Sequence, residues 1–171
     1  MDETGHSPDS ILSTPVKRVG VWRVLARDVI WSLIQPLTHE THIRVRYAET
    51  DQMGIVYYAN YFVWMEIGRV ELVRSRGLNY KELENAEGLF LSVVDAKCRY
   101  LFPARYDQEI LIQTQVHSAN PRMVEFTYEI RSLNPDRLLA EASTKHVWLN
   151  RDMRPSRLPS QYQYLLRSTP V

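Results

Sequence analysis

Hydrophobic and polar residues alternate along several stretches of the chain, as they do in strands that bury one face. The first stretch begins at His39, where Ile43, Val45 and Tyr47 alternate with polar residues. Four further candidate strands span residues 89–102, 109–118, 123–132 and 138–149. Because these four strands follow one another with short turns, we expect an antiparallel sheet.

Residues 59–77 instead carry the apolar spacing of an amphipathic helix. Four residues recur at helical intervals and predict a buried face: Tyr61, Met65, Gly68 and Leu72. Asn60 is a candidate cap at the start of this helix, and Gly77 allows the chain to leave it. One long helix beside five strands predicts an α+β domain in which the helix covers one face of the sheet.

The first 38 residues are predicted to form an N-terminal extension, because their pattern differs from that of the rest of the chain. Residues 1–10 are polar and are predicted to be disordered. Residues 19–34 have the spacing of an amphipathic helix, for which we favour packing on protein. Membrane-surface contact by residues 11–37 is the alternative. Charged residues within this segment argue against a secretory signal peptide.

Composition limits the classes of protein to which the chain can belong. Its 171 residues suffice for one domain, and 21 basic against 20 acidic residues argue against a nucleic-acid-binding protein. No apolar run is long enough to span a membrane. The single cysteine, Cys98, excludes an internal disulfide and fits a cytoplasmic protein, in which we expect it to be a buried, inert thiol.

Candidate chemistry is concentrated in residues 46–69, where Asp51 and Gly54 precede the long helix. Unpaired N–H groups and the positive dipole end at a helix start stabilise an anion or a developing oxyanion. With the Asp51 carboxylate, such donors suffice for acyl transfer; a helix cap or a solvated turn is the alternative interpretation. The five histidines lack the spacing of a helical metal site, and no phosphate-binding loop is present, so we expect no metal and no cofactor.

This segment resembles the active-site segment of hotdog-fold acyl-CoA thioesterases, in the 4-hydroxybenzoyl-CoA thioesterase-like group. The matching residues are Tyr47, Asp51, Gly54, Val56, Tyr57, Tyr58, Asn60, Tyr61, Glu66 and Arg69. Residues 92–110 and 140–159 resemble later strands of the same family. The resemblance covers residues 39–159, and residues 160–171 form a tail with a predicted short final turn of helix.

The resemblance implies a hotdog fold, in which an antiparallel sheet wraps around the long helix. It also implies that two chains pair edge to edge, as a homodimer or within a homotetramer, with active sites at the interface. Asp51 would be the catalytic carboxylate, acting as nucleophile or as general base, and the Tyr58 backbone N–H would polarise the thioester carbonyl. The implied activity is hydrolysis of an acyl-CoA thioester, and a non-catalytic acyl-CoA-binding or sensing protein is the alternative.

Further residues are candidates for contacts with the substrate. Gly54, Tyr57, Asn60 and Arg122 are the expected substrate-binding residues. Arg122, Arg105 and Lys145 are candidates for contacts with the CoA phosphates from a partner chain, and a solvated surface position is the alternative for each. Tyr57, Tyr61, Phe62 and Trp64 are candidates for the acyl pocket or the core. Glu66 is either a second carboxylate of the site or the partner of Arg69 or Arg74 on the helix surface. Many relatives carry His where this chain has Tyr58, and a tyrosine favours the aromatic-acyl style of mechanism in which no imidazole assists Asp51.

Overall fold

The structure is a computed structural model that describes residues 37–166. The disorder predicted for residues 1–10 and the amphipathic helix predicted for residues 19–34 lie outside the described residues. Within residues 37–166, neither α-helix is long and apolar enough to cross a lipid bilayer.

Five strands form one antiparallel sheet. They are β1 (Thr38–Arg44), β2 (Phe90–Tyr100), β3 (Glu109–Ala119), β4 (Met123–Leu133) and β5 (Asp136–Leu149). The order across the sheet is β1-β3-β4-β5-β2, so that β2 pairs with β5 and not with β3. β3, β4 and β5 form successive hairpins, as expected, while β1 and β2 are the two edges of the sheet.

The predicted alternation of side chains is present in the central strands and produces the core. On β3 and β4 every second residue is buried, including Ile110, Ile112, Phe126 and Ile130, which are fully inaccessible to solvent. These side chains all lie on the face of the sheet that the long helix covers. The predicted α+β architecture follows from this burial.

The long helix, α1 (Asn60–Ser75), packs closely against β3, and its predicted apolar residues are all buried. A Cβ atom added at Gly68 would lie 2.4 Å from the Thr114 hydroxyl oxygen and 2.9 Å from an Ile112 methyl carbon. Because real Cβ contacts are longer than this, the absence of a side chain at Gly68 sets how closely the helix approaches the sheet.

Three local features differ from the sequence-based expectations. A second helix, α2 (Tyr80–Glu87), follows α1 and was not predicted. The strand predicted through Tyr47 is wrong there, because β1 ends at Arg44 and residues 47–49 form a 3₁₀ turn. The cap predicted at Asn60 is also wrong, since Ala59 occupies the cap position. The tail forms a 3₁₀ helix over Ser160–Leu166, in agreement with the predicted final turn.

A buried polar cluster lies in the core, on the part of the sheet that faces α1. The Thr144 hydroxyl bridges the Tyr128 hydroxyl and His146 Nε2, at 2.8 Å each. His146 is fully buried, and its Nδ1 has no hydrogen-bond partner among the described residues. Burial, followed by the positive charge of Arg69, lowers the pKa of His146 to about 4. His146 is therefore neutral in the folded protein near neutral pH.

Candidate active site

A pocket of about 390 Å³ lies between the loop that precedes α1 and the segment that follows β2. Its lining residues are Asp51, Met53, Ile55, Val56, Tyr57, Tyr58, Tyr61, Tyr100, Leu101, Phe102 and Pro103. Asp51 is the only carboxylate among them, and the remaining walls are aliphatic or aromatic. The pocket thus combines one anionic side chain with a surface suited to an apolar or aromatic group.

The loop from Asp51 to Ile55 closes on itself and fixes the carboxylate. Asp51 Oδ1 accepts a hydrogen bond from the Met53 N–H at 2.8 Å. The Asp51 carbonyl accepts from the Gly54 N–H, and the Asp51 N–H donates to the Ile55 carbonyl, at 2.9 Å each. Gly54 has a φ of +70°, which glycine adopts without strain. Asp51 Oδ2 has no partner among the described residues, and this oxygen is the one available for chemistry.

Glu49, which the sequence analysis did not single out, holds the two ends of this loop together. Its buried carboxylate accepts hydrogen bonds from the Arg46 N–H (2.7 Å), the Arg46 guanidinium (3.0 Å) and the Trp64 indole (3.1 Å). Burial would raise the pKa of Glu49, but these hydrogen bonds together lower it below its ordinary value. Its carbonyl oxygen accepts from the Tyr57 N–H (2.9 Å) and from the Asn60 side-chain amide (2.7 Å). Asn60 therefore braces the pocket loop instead of capping the helix.

The turn before α1 leaves two consecutive backbone N–H groups without acceptors. The N–H groups of residues 60–62 donate to the carbonyl oxygens of residues 57–59, at 2.9–3.3 Å, so the first helical turn is already hydrogen-bonded. Among the described residues, the N–H groups of Tyr58 and Ala59 donate to no acceptor. Tyr58 was expected at the helix start and lies two residues before it. The donors available to an oxyanion thus belong to the turn and not to the helix.

Tyrosine side chains form much of the pocket wall. The rings of Tyr57 and Tyr58 are about half exposed and lie 4.5 Å apart, and the hydrogen bond between their hydroxyls raises the pKa of Tyr57. Tyr61 is buried, packs edge to face on Tyr100 and accepts a hydrogen bond from the Ala104 N–H. The Tyr61 contacts tie the first turn of α1 to the end of β2 and to the segment that follows it.

Several predicted residues come together at the pocket. Asp51, Tyr57 and Tyr58 line it, Gly54 shapes the Asp51 loop and Asn60 braces that loop. Of the residues considered for either the acyl pocket or the core, Tyr61 serves both, whereas Trp64 is buried in the core and binds Glu49. Arg105 lies beside the loop, where its guanidinium donates to the Gly54 carbonyl at 3.4 Å.

Other candidates lie away from this pocket. Arg122 is in the β3–β4 turn, where its carbonyl accepts a hydrogen bond from the Trp148 N–H. The pocket-lining residues Leu101 and Phe102 instead donate their N–H groups to the Leu139 carbonyl. Trp148 and Leu139 are separated by roughly 30 Å along β5, at about 3.3 Å per residue. A role for Arg122 in binding substrate would therefore require the pocket of a partner chain.

Lys145 and Glu66 are placed on the surface. Lys145 lies 3.7 Å from Glu125 across the sheet. The Glu66 side chain is 65% exposed and lies 3.8 Å from Arg69, which agrees with the helix-surface pair and not with a second carboxylate in this chain's pocket. In residues 37–166, no three His, Cys, Asp or Glu side chains lie close enough together to hold a metal ion.

Residues 45–166 match the Thioesterase-like superfamily. This chain belongs to that superfamily. YneP of Bacillus subtilis, to which acyl-CoA thioesterase activity is ascribed, is 39% identical to it over 111 residues, which cover 64% of this chain and 78% of YneP. The acyl-acyl carrier protein thioesterase ATL3 of Arabidopsis thaliana is 29% identical over 150 residues, which cover 87% of this chain and 78% of ATL3.

Solved structures of thioesterases share the fold of this superfamily member. The DHNA-CoA thioesterase of Staphylococcus aureus is 30% identical, with a TM-score of 0.68, and the match covers 71% of this chain and 80% of that one. The 4-hydroxybenzoyl-CoA thioesterase of Pseudomonas sp. strain CBS-3, at 20% identity, has a TM-score of 0.70 over 75% of this chain and 98% of its own. These comparisons confirm the predicted hotdog fold, the predicted family and the predicted enzyme class, a thioester hydrolase.

Proposed function

We propose that the chain hydrolyses acyl-CoA thioesters, with Asp51 as the catalytic carboxylate and the Tyr58 N–H as an oxyanion donor. The observation that carries the proposal is that Asp51 and Tyr58 both line one largely apolar pocket, while the Tyr58 N–H donates to no acceptor among the described residues. One Asp51 oxygen is anchored by the Met53 N–H and the other is free, so the carboxylate is oriented and still available. A fixed carboxylate and a fixed N–H donor are the two groups that thioester hydrolysis needs.

Two routes are consistent with this site. In the nucleophilic route, Asp51 attacks the thioester carbonyl, the C–S bond breaks, and water then hydrolyses the resulting mixed anhydride. In the general-base route, Asp51 removes a proton from water as the water oxygen attacks, and the proton passes to the departing thiolate. In both routes the carbonyl oxygen becomes an oxyanion, which the Tyr58 N–H stabilises. Removing one such donor typically costs roughly 100-fold or more in rate.

The leaving group explains why a site with a single acidic side chain suffices. A thiol has a pKa of about 8.5, so it departs as a thiolate without a strong general acid. Tyr57 has a raised pKa and stays protonated at neutral pH, so it does not act as a base. Asp51 is the only carboxylate among the described residues that line the pocket, and it is the group that we propose as nucleophile or base.

The acyl group and the carrier follow from the pocket and from the relatives. The tyrosine and phenylalanine rings on the pocket wall can stack on a planar acyl group, so we expect aryl thioesters to be cleaved faster than short aliphatic ones. Relatives are named for both CoA and acyl carrier protein substrates, and CoA is the carrier that we propose. Parallel assays with the same acyl group on CoA and on acyl carrier protein distinguish the two carriers.

Pairing of two chains along β2 is part of the proposal. β2 is an 11-residue edge strand with Val93 and Val94 about half exposed, and such edges are normally paired or protected. The strand ends at Tyr100, on the pocket wall, so a partner strand there would bring a second chain close to the site. Sedimentation equilibrium should give the mass of a dimer or a tetramer, and a monomer would contradict the pairing.

The test of the activity is thiol release from a panel of aliphatic and aromatic acyl-CoAs. Asp51→Asn removes the charge and keeps the shape, and we expect it to lower kcat by about 100-fold or more. Asp152→Asn, on an exposed turn away from the pocket, is the matched control. Incorporation of ¹⁸O from labelled water into the Asp51 carboxylate would identify the anhydride route.

The outcomes of this test separate the alternatives. Equal thiol release by the native chain and Asp51→Asn would remove Asp51 from catalysis, and Glu66→Gln would then test the helix carboxylate. Binding of acyl-CoA without any thiol release would instead indicate a non-catalytic binding protein on the same fold. Circular dichroism of each variant establishes that its fold is intact.

A further inference from the structure

The Tyr100 hydroxyl donates a hydrogen bond to the Tyr58 carbonyl oxygen at 3.1 Å. This contact joins the end of β2 to the turn before α1, across 42 residues of sequence. Both residues line the pocket that contains Asp51. The contact is therefore made at the backbone of the turn that supplies the free N–H groups.

The Tyr58 carbonyl and the Ala59 N–H belong to the same planar peptide unit. Because the unit is planar, fixing the oxygen also restrains the direction of the N–H. The oxygen accepts from two donors, the Tyr100 hydroxyl and the Tyr61 N–H at 3.3 Å. Hydrogen bonds to a carbonyl polarise the peptide and strengthen its N–H as a donor, by about 10–30% per bond.

The preceding peptide unit, which carries the Tyr58 N–H, is anchored without a side chain. Its carbonyl, that of Tyr57, accepts from the Asn60 N–H at 2.9 Å. Two adjacent peptide units are thus held by their oxygens, and neither of their N–H groups has an acceptor among the described residues. Of these two units, only the one between Tyr58 and Ala59 accepts a hydrogen bond from a distant part of the chain, the Tyr100 hydroxyl at the end of β2.

We propose that Tyr100 is a positioning residue for thioester hydrolysis, which anchors and polarises the Tyr58–Ala59 peptide so that the Ala59 N–H serves as the second oxyanion donor. This inference rests on the proposed function. As charge develops on the thioester oxygen, the phenol stabilises the complementary charge on the Tyr58 carbonyl and resists rotation of the peptide. No proton leaves Tyr100 during the reaction, and burial raises the pKa of Tyr100, which keeps its hydroxyl protonated and able to donate.

Tyr100→Phe removes the hydroxyl and keeps the ring against Tyr61. We expect kcat to fall about tenfold, the equivalent of one ordinary hydrogen bond, with KM changed less than about threefold. Tyr106→Phe is the matched control, because Tyr106 is an exposed tyrosine outside the pocket lining. A rise in KM with kcat unchanged would overturn the positioning role.

Replacement of Tyr100 by fluorinated tyrosines provides a readout that a structural role would not change. These residues keep the hydroxyl and the fold, and the phenol becomes a stronger donor as fluorine atoms are added. We expect kcat to rise along the series while the phenol stays protonated. A kcat that does not vary with phenol acidity would overturn the proposal, even if Tyr100→Phe folds poorly.

The ¹⁵N chemical shift of the Ala59 amide tests the contact without any enzyme activity. We expect Tyr100→Phe to shift this resonance and Tyr106→Phe to leave it in place. An unchanged shift would show that the hydrogen bond is absent, and a changed shift with normal kcat would show that it has no part in catalysis. If the native chain releases no thiol from any thioester, the proposed function fails at that step, before any Tyr100 variant is compared.

Discussion

The burial of His146 leads to a prediction about stability at acidic pH. His146 is fully buried, its Nε2 is occupied by the Thr144 hydroxyl and its Nδ1 has no partner among the described residues. The pKa falls from the ordinary 6.5 to about 4 because burial, and then the Arg69 charge, disfavour the imidazolium. The unfolded chain therefore binds a proton between these two pH values that the folded chain does not bind.

The sign and the size of the effect follow from this difference. Since the unfolded state binds more protons below pH 6.5, the free energy of unfolding falls as the pH is lowered, by at most about 1.4 kcal/mol per pH unit. Between about pH 7.5 and about pH 4.5 the loss attributable to His146 is about 2–3 kcal/mol. Glu49, whose pKa is lowered, contributes to acid sensitivity only below its ordinary value of 4.5, so the two effects occupy different pH windows.

Urea unfolding at several pH values in this range, at one fixed protein concentration, measures the effect. His146→Gln keeps a polar group beside Thr144 and cannot titrate, so we expect its free energy of unfolding to lose about 2–3 kcal/mol less than the native chain over this range. His117→Gln is the matched control, because His117 is exposed on β3. An equal loss of stability by His146→Gln and by the native chain between these pH values would show that His146 is not the source of the acid sensitivity.

Three further substitutions test the close packing and the pocket loop. Gly68→Ala should gain about 1 kcal/mol of helix propensity but lose more to the clash with Thr114, for a net fall of about 1–2 kcal/mol in the free energy of unfolding, measured by urea unfolding. Glu49→Gln places an amide donor against the Arg46 and Trp64 donors, and thermal unfolding should report a loss of about 1–3 kcal/mol together with a lower kcat. A Cβ atom at Gly54 would contact nothing within 4 Å, so Gly54→Ala should lower the free energy of unfolding by about 1 kcal/mol through strain at positive φ alone. Unchanged stability in urea unfolding would contradict this strain.

Periodicity predicts the sheet and the long helix because those segments each bury one continuous face. The short helix α2 spans only eight residues, of which only Leu83 is buried, so its apolar face is too short to stand out from a loop. The residue types at its two ends are nevertheless typical of helix caps. The Asn79 side chain accepts a hydrogen bond from the Lys81 N–H at the start, and Gly88 adopts a positive φ at the end. Tyr47 continues the alternation of β1 in sequence, but the bond between Glu49 and the Arg46 N–H turns the chain out of the strand.

The candidate site was predictable where its residues are close in sequence. The segment that contains Asp51 and Tyr58 was found from its residue types and its resemblance to a family. The contact between Tyr100 and Tyr58 joins distant segments, and no local pattern records it. Arg122 was expected to reach the CoA phosphates from a partner chain; it lies in the β3–β4 turn, away from this chain's own pocket, and its role stays a prediction.

In the proposed site, the Asp51 carboxylate and the oxyanion donors lie on a loop and turn fixed by backbone hydrogen bonds, whereas the surface for the acyl group is formed by exposed side chains. The proposed oxyanion donors are backbone groups, and the turn that carries them is held by Glu49 from inside the core. Met53, Tyr57 and Phe102 are exposed side chains on the wall, and exchanges at such positions usually change stability by no more than about 0.5 kcal/mol. New acyl groups can therefore be accommodated by replacing wall residues one at a time, while the reactive centre and the fold are inherited unchanged.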